Sequence, residues 1–350
     1  MAMRVVVTGA TGNVGTSVVE ALGKEPKVGE IVGLARRLPE LEMPKTRWVS
    51  RSVNDDLSDV FGGADAVVHL AWAIQPARDQ ATVERINVEG SARVFEAAAA
   101  AGVPALVYAS SVGAYAPGPK DRRVDESWSV TGIASSFYSR HKAAVEAILN
   151  GFETRHPEVR VVRLRPALIF KGEAASEIRR LFVGPFLPSF LVQRRLIPVV
   201  PRISGLRFQA VHSTDVGEAY RQAVVRDVRG AFNIAGEPVI GPEELSQELD
   251  ARQVDVPPRV ARALMDWSWK LRLQPSPPGW LDMALQVPLM DTGRARTELG
   301  WRPRVSALDA LLELIEGIRH SKGMPTPPLD PETAGPGRLG ELRSGVGARR

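Results

Sequence analysis

Residues 4–22 read "RVVVTGATGNVGTSVVEAL", and this stretch decides the fold. The β-branched run Arg4–Thr8 is followed by Gly9, Gly12 and Gly15, and then by the helix-like run Asn13–Leu22. Glycines between a strand and a helix remove the side chains that would keep a phosphate from the helix N-terminus. Three glycines alone carry little weight, because turns also use glycine to reach positive φ. The rest of the chain supplies the weight.

Through the first half, apolar runs alternate with helical patterns. Strands are expected at Arg4–Thr8, Glu30–Ala35, Arg47–Ser50, Ala66–Ala71, Ala105–Ser110 and Arg160–Arg165. Helices are expected at Asn13–Leu22, Arg78–Ala101 and Phe137–His156. Unbroken apolar strands separated by helices imply a parallel sheet covered on both faces. Right-handed crossovers make it a doubly wound, Rossmann-like α/β sheet with its crevice at the strands' C-terminal ends. Residues 1–165 form this nucleotide-binding unit. Residues 166–320 read as a smaller, mainly helical lobe, interleaved with late sheet strands at 208–212 and 231–234. Within it, Phe182–Pro201 is apolar, proline-broken and basic, and is expected to pack as part of the lobe. Trp267, Trp269 and Trp280 are expected in its core. Residues 321–350, rich in Gly, Pro and charge, read as a disordered tail.

The bulk composition excludes several classes of protein. The chain has 350 residues, a formal charge of +5 and no cysteine, which rules out disulfides, a thiol nucleophile and thiolate metal sites. With so few histidines, no metal site is expected. Basic pairs such as Arg36-Arg37, Arg179-Arg180 and Arg194-Arg195 are scattered, which suits an anionic small molecule better than nucleic acid. The N-terminus shows no leader pattern, and glycines and prolines interrupt the long uncharged run Ala97–Pro119. A cytoplasmic protein with no integral membrane segment is expected.

Two further features carry chemistry. In "YSRHK", Tyr138 and Lys142 stand at i, i+4 and so share one face of a helix capped by Ser135 or Ser136. A free tyrosine ionises near ~10, and a neighbouring ammonium favours its phenolate. In "YASSVGAY", a strand ends at Ala109 and delivers Ser110 and Ser111 to the crevice, where a hydroxyl can steady a developing oxyanion. His69 reads as a buried, hydrogen-bonded core residue, His141 as solvated, and His212 and Asp215 as structural.

Taken in order, "TGATGNVG", the paired serines and Tyr138-x-x-x-Lys142 resemble the extended short-chain dehydrogenase/reductase family, of the NAD(P)-dependent epimerase/dehydratase type. The resemblance continues in "ADAVVHLAW" (64–72), "NVEGS" (87–91), "LRP" (164–166), "AVHSTDVGEAY" (210–220), "GAFNIAGEP" (230–238) and "ARTELGWRP" (295–303). It implies an NAD(P) cofactor held by Gly9, Thr11, Gly12, Asn13, Val14 and Gly15, with Leu70 and Ala71 beside it. It implies that Tyr138 moves the proton, that Lys142 lowers the tyrosine's pKa and holds the nicotinamide ribose, and that Ser111 polarises the substrate. Ser111 is preferred to Ser110 because it lies four residues before Tyr115. Asn87 would support the active-site end of its helix. A homodimer would suit the family.

The chain also departs from the family pattern. Family dehydratases carry an Asp-Glu pair where Val112 and Gly113 stand, so loss of water is not expected. An arginine frequent in nucleotide-sugar epimerases is replaced by Phe208. Strand two ends at Ala35, where NAD-preferring relatives place an acid, and Arg36 and Arg37 follow, which favours NADP with NAD possible. The leading expectation is an oxidoreductase acting on a carbonyl or secondary alcohol. A nucleotide-sugar epimerase and a non-catalytic nucleotide sensor are the alternatives.

Overall fold

The structure, a computed structural model, describes residues 2–75, 77–183 and 198–331. Seven strands build the main sheet: β1 Met3–Thr8, β2 Val28–Ala35, β3 Thr46–Ser50, β4 Ala66–His69, β5 Ala105–Ala109, β6 Arg160–Pro166 and β7 Gly230–Ile234. Their order is β7-β6-β5-β4-β1-β2-β3, and every pair is parallel. The chain reverses its winding direction at β1, which lies between β4 and β2. A doubly wound sheet opens its crevice at that point.

Alternation along each strand feeds both faces of the sheet. Val5 and Val7 point to one side and Val6 to the other, and all three are fully buried. On the first side lie α1 (Asn13–Gly23) and the helix Ser213–Val225, packed with Tyr220 and Trp301. The two helices approach so closely that a Cβ on Gly217 would stand 2.5 Å from the Ser17 carbonyl oxygen. On the second side lie α2 (Gly90–Ala100) and α3 (Phe137–Arg155), with Phe95, Phe152 and Leu149 in the core.

Several expectations require correction. The single helix expected over 78–101 is three pieces: Gln80–Glu84, a π turn at Arg85–Glu89, and α2. The strand expected at 208–212 shortens to Ala210–His212 and pairs with Leu168–Phe170, outside the main sheet. The helix Pro258–Lys270 buries no residue, and Trp267 is exposed, not core. For Phe182–Pro201, residues 184–197 lie outside the described part. Residues 321–331, expected as the start of a disordered tail, are folded against the body. Leu329 is fully buried, Thr326 donates to the Thr11 carbonyl at 2.9 Å, and Arg180 reaches the Pro328 carbonyl at 3.0 Å. Composition signalled a loose tail, whereas a single buried leucine and a few backbone contacts hold this piece down.

Candidate active site

Gly9 stands just past β1 with φ +70°, and a Cβ there would lie 2.7 Å from the Ala71 amide nitrogen at the end of β4. A Cβ on Gly15 would lie 2.2 Å from the Gly9 carbonyl oxygen. Packing of the chain against itself therefore demands both glycines. Gly12 differs, because its φ is −81° and an added Cβ would meet nothing nearer than the Gly9 oxygen at 3.7 Å. Neither conformation nor crowding requires glycine at position 12. Its lack of a side chain leaves the α1 N-terminus open, and no side chain caps that helix. The first amides of a helix lack internal partners and face a positive dipole end, so the turn fits the pyrophosphate of a dinucleotide.

The edge of this seat already holds a carboxyl group. Glu177 Oε2 accepts from the Asn13 amide at 3.3 Å, and burial raises the Glu177 pKa against the pull of Arg180 and that amide. Asn13 Nδ2 donates to the Ile169 carbonyl at 3.2 Å, and Val14 packs on the core under the turn. Leu70 and Ala71 close the other side through the Thr8 carbonyl and hydroxyl, at 3.1 and 3.3 Å. Arg36 and Arg37 are exposed directly after β2, with the Arg36 carbonyl accepting from Ser50 on β3 at 3.3 Å.

Tyr138, Lys142 and Ser111 come together at the end of β5. Ser136 caps α3, accepting from the Ser139 amide at 3.4 Å, and Ser139 Oγ donates to the Gly113 carbonyl at 2.5 Å. These bonds tie the start of α3 to the turn after β5. Gly113 makes room for the tyrosine, since a Cβ there would lie 2.9 Å from the Tyr138 ring. Burial raises the Tyr138 pKa, and a hydrogen bond from Ser111 opposes it. Lys142 Nζ donates to the Ala109 carbonyl at 2.7 Å and lies 5.8 Å from the Tyr138 ring centre. Burial pushes the Lys142 pKa well below the ordinary lysine value, with only Glu146 pulling it back. Asn87, in the π turn, grips Ala73 through both its amide atoms at 2.7 and 2.8 Å, fixing the chain beyond Ala71.

Ser110 has a different task. It donates to Glu146 at 2.5 Å, and Glu146 also accepts from Arg165 at 2.8 Å and Arg163 at 3.0 Å. Those guanidinium groups hold the buried Glu146 carboxyl down at about 2. Sequence reasoning missed this network, although Tyr138, Lys142 and Glu146 repeat every four residues along one helix face. His69 is a core residue as expected: Nδ1 pairs with Thr8 Oγ1 at 2.7 Å and Nε2 with Ser91 Oγ at 3.0 Å. Burial lowers its pKa to about 3, with Lys142 adding to the effect. His141, expected in solvent, is buried beside Phe137 with Nδ1 unpartnered. Its charged neighbours Arg140 and Lys142 hid the fact that this face of α3 is covered.

Aromatic rings surround the tyrosine. Trp280 lies 4.9 Å and Trp72 5.9 Å from the Tyr138 ring centre, and Phe182 stands edge-on to Trp280 at 4.9 Å. Sequence reasoning had no signal for this grouping, because the four residues come from four separate segments.

Residues 5–235 match the NAD dependent epimerase/dehydratase family. The chain belongs to that family. As a family member, it is 24% identical over 328 residues to the uncharacterized protein Rv2047c of Mycobacterium tuberculosis, covering 92% of this chain but 31% of that one. The chain therefore spans about a third of the length of that relative. It is 30% identical over 184 residues to L-arabinose 1-dehydrogenase (NAD(P)(+)) of Haloferax volcanii, covering 50% of this chain and 70% of that one. Among solved structures it is similar to UDP-glucose-4-epimerase from Stenotrophomonas maltophila with bound NAD, with a TM-score of 0.69 and 20% identity, covering 91% and 98% of the two chains. It is also similar to DesIV, a dTDP-glucose 4,6-dehydratase from Streptomyces venezuelae with NAD bound, with a TM-score of 0.66 and 22% identity, covering 91% and 97%. These two likenesses establish the shared fold. Among the described residues, no helix is long and apolar enough to cross a membrane.

Proposed function

We propose that the protein is an NAD(P)-dependent oxidoreductase that interconverts a carbonyl and a secondary alcohol. The observation that carries this reading is the joining of Ser111, Tyr138 and Lys142 at the end of β5, at the same sheet edge as the open Gly12 turn. A nicotinamide dinucleotide bound in the crevice would accept or supply hydride. Gly12 would admit its pyrophosphate to the α1 amides, and Lys142 would hold its nicotinamide ribose. Tyr138 would give its hydroxyl proton to the nascent alkoxide, or take one in the reverse direction, through the phenolic oxygen. Ser111 would donate to the substrate oxygen and stabilise charge as it develops. Since burial opposes the phenolate, the tyrosine is better prepared as the acid of a reduction than as a resting base.

NADP is the favoured cofactor. Arg36 follows β2 directly, where its guanidinium would grip a ribose phosphate. By titration calorimetry, NADP(H) should bind more tightly than NAD(H) by about 1.5–3 kcal/mol, the scale of one charged hydrogen bond. Arg36→Ala should lose most of that difference, and equal wild-type affinities would refute the preference.

The reaction is tested by following the cofactor. A reductase consumes one NADPH for each carbonyl reduced, and stoichiometric loss on a carbonyl panel is the expected result. Conversion of a sugar nucleotide with no net change in cofactor would replace this reading with epimerisation.

A further inference from the structure

We infer that the substrate presented to Tyr138 is a flat, apolar ketone or secondary alcohol; this rests on the oxidoreductase reading above. The wall around the tyrosine is aromatic. Trp280 leans over the Tyr138 ring at 4.9 Å with an interplanar angle of 37°, and Trp72 meets it edge-on at 5.9 Å. Phe182 abuts Trp280, and Met283 and Val112 pack with Trp280 and Tyr138. Tyr138, Trp72, Trp280 and Phe182 are each only part-buried, whereas Phe137 and Met283 behind them are buried. Part of each of these rings therefore stays accessible beside the tyrosine. Aromatic faces bind a flat π-system or an alicyclic ring by offset or edge contact, and they give a polar chain no partners.

The polar provision of this wall is small and suits one oxygen. Among the described residues it includes the Ser111 and Tyr138 hydroxyls and the Trp72 Nε1 hydrogen, which is buried without a partner. A diphosphate needs several cations or amides, and several of the nearby cations among the described residues are engaged elsewhere. Arg78 lies 4.4 Å over the Trp269 ring and donates to the Trp269 carbonyl. Lys120 Nζ donates to the Arg207 and Ala284 carbonyls, each at 2.8 Å. Arg262 pairs with Asp282 at 2.8 Å, Arg180 donates to the Pro328 carbonyl at 3.0 Å, and Arg179 is engaged as well. Placing a phosphate against this wall would desolvate its charge with little return.

The test compares α-tetralone, a flat apolar ketone, with UDP-glucose by ligand-observed NMR on the full chain saturated with NADP⁺. Saturable binding of α-tetralone and none of UDP-glucose is expected. Trp280→Ala should weaken α-tetralone by about tenfold or more, as removal of an aromatic anchor does. Trp280→Phe should restore most of the loss, which separates a lost wall from a misfolded lobe. Tighter binding of UDP-glucose, binding of neither probe, or an unchanged affinity in a folded Trp280→Ala protein would each overturn the inference. Failure of the wild type to bind NADP⁺ in the same samples would instead overturn the oxidoreductase reading.

Discussion

The Lys142 ammonium lies 3.4 Å from the centre of the Trp72 ring while donating to the Ala109 carbonyl at 2.7 Å. An indole face on one side and a single carbonyl on the other hold a cation that water would otherwise surround. The ring contact returns part of the desolvation cost, about 0.5–2 kcal/mol. The remaining cost appears as the strongly lowered Lys142 pKa.

That lowering fixes two pH dependences of opposite sign. The unfolded chain binds the Lys142 proton up to the ordinary lysine value of 10.5, and the folded chain releases it earlier. Between the two values the unfolded state holds more protons, so the stability of the cofactor-free protein should rise with pH across that window. If the ammonium holds the ribose, kcat/KM for the cofactor should fall as pH rises through the lowered folded pKa. Urea titrations and initial rates across alkaline pH measure both. Lys142→Met should reduce the stability slope, leaving the part due to Lys120 and Lys171, whose pKa values burial also lowers, and an unchanged slope would contradict the assignment.

Two glycines of the turn should separate by experiment. Gly15→Ala forces a Cβ to within 2.2 Å of the Gly9 oxygen and should destabilise the fold by about 1–3 kcal/mol. Gly12→Ala should leave the melting temperature nearly unchanged and weaken dinucleotide binding. Glu177→Gln should act in the opposite sense and tighten binding, because it removes a carboxylate from beside the phosphate seat. Calorimetry on the three variants reads all of this. Equal loss of stability in both glycine variants would contradict the distinction.

The segment 321–331 should be part of the stable body. Leu329→Ala removes a fully buried side chain and should cost about 2–5 kcal/mol in urea unfolding. Deleting residues 323–350 should lower the melting temperature and, by freeing the Thr11 carbonyl from Thr326, weaken dinucleotide binding. An unchanged melting temperature would mean that the contact contributes nothing.

Much of the sheet was legible because its signals are local. Val5–Val7 and Ala105–Ala109 read as buried strands from their own residues, and Gly9 marks the turn by itself. Tyr138 and Lys142 were legible because helical spacing brings them to one face. What escaped depends on distant partners. Glu177 reaches Asn13 across 164 positions, and Thr326 reaches Thr11 across 315. Nothing in the composition near Ser321 marks Leu329 as buried. The exposure of Trp267 was likewise hidden, because an amphipathic helix reads the same whether or not its apolar face is covered.

The central claim is that Tyr138 moves the proton in a hydride-transfer reaction, and its most direct test is the turnover of Tyr138→Phe. The measurement is made on the carbonyl compound that the wild type reduces fastest, with NADPH affinity determined on the same preparation. The account predicts unchanged NADPH affinity and a fall in kcat of at least ~10²-fold, the scale of losing a positioned acid–base group. Wild-type turnover by a folded Tyr138→Phe protein would contradict it.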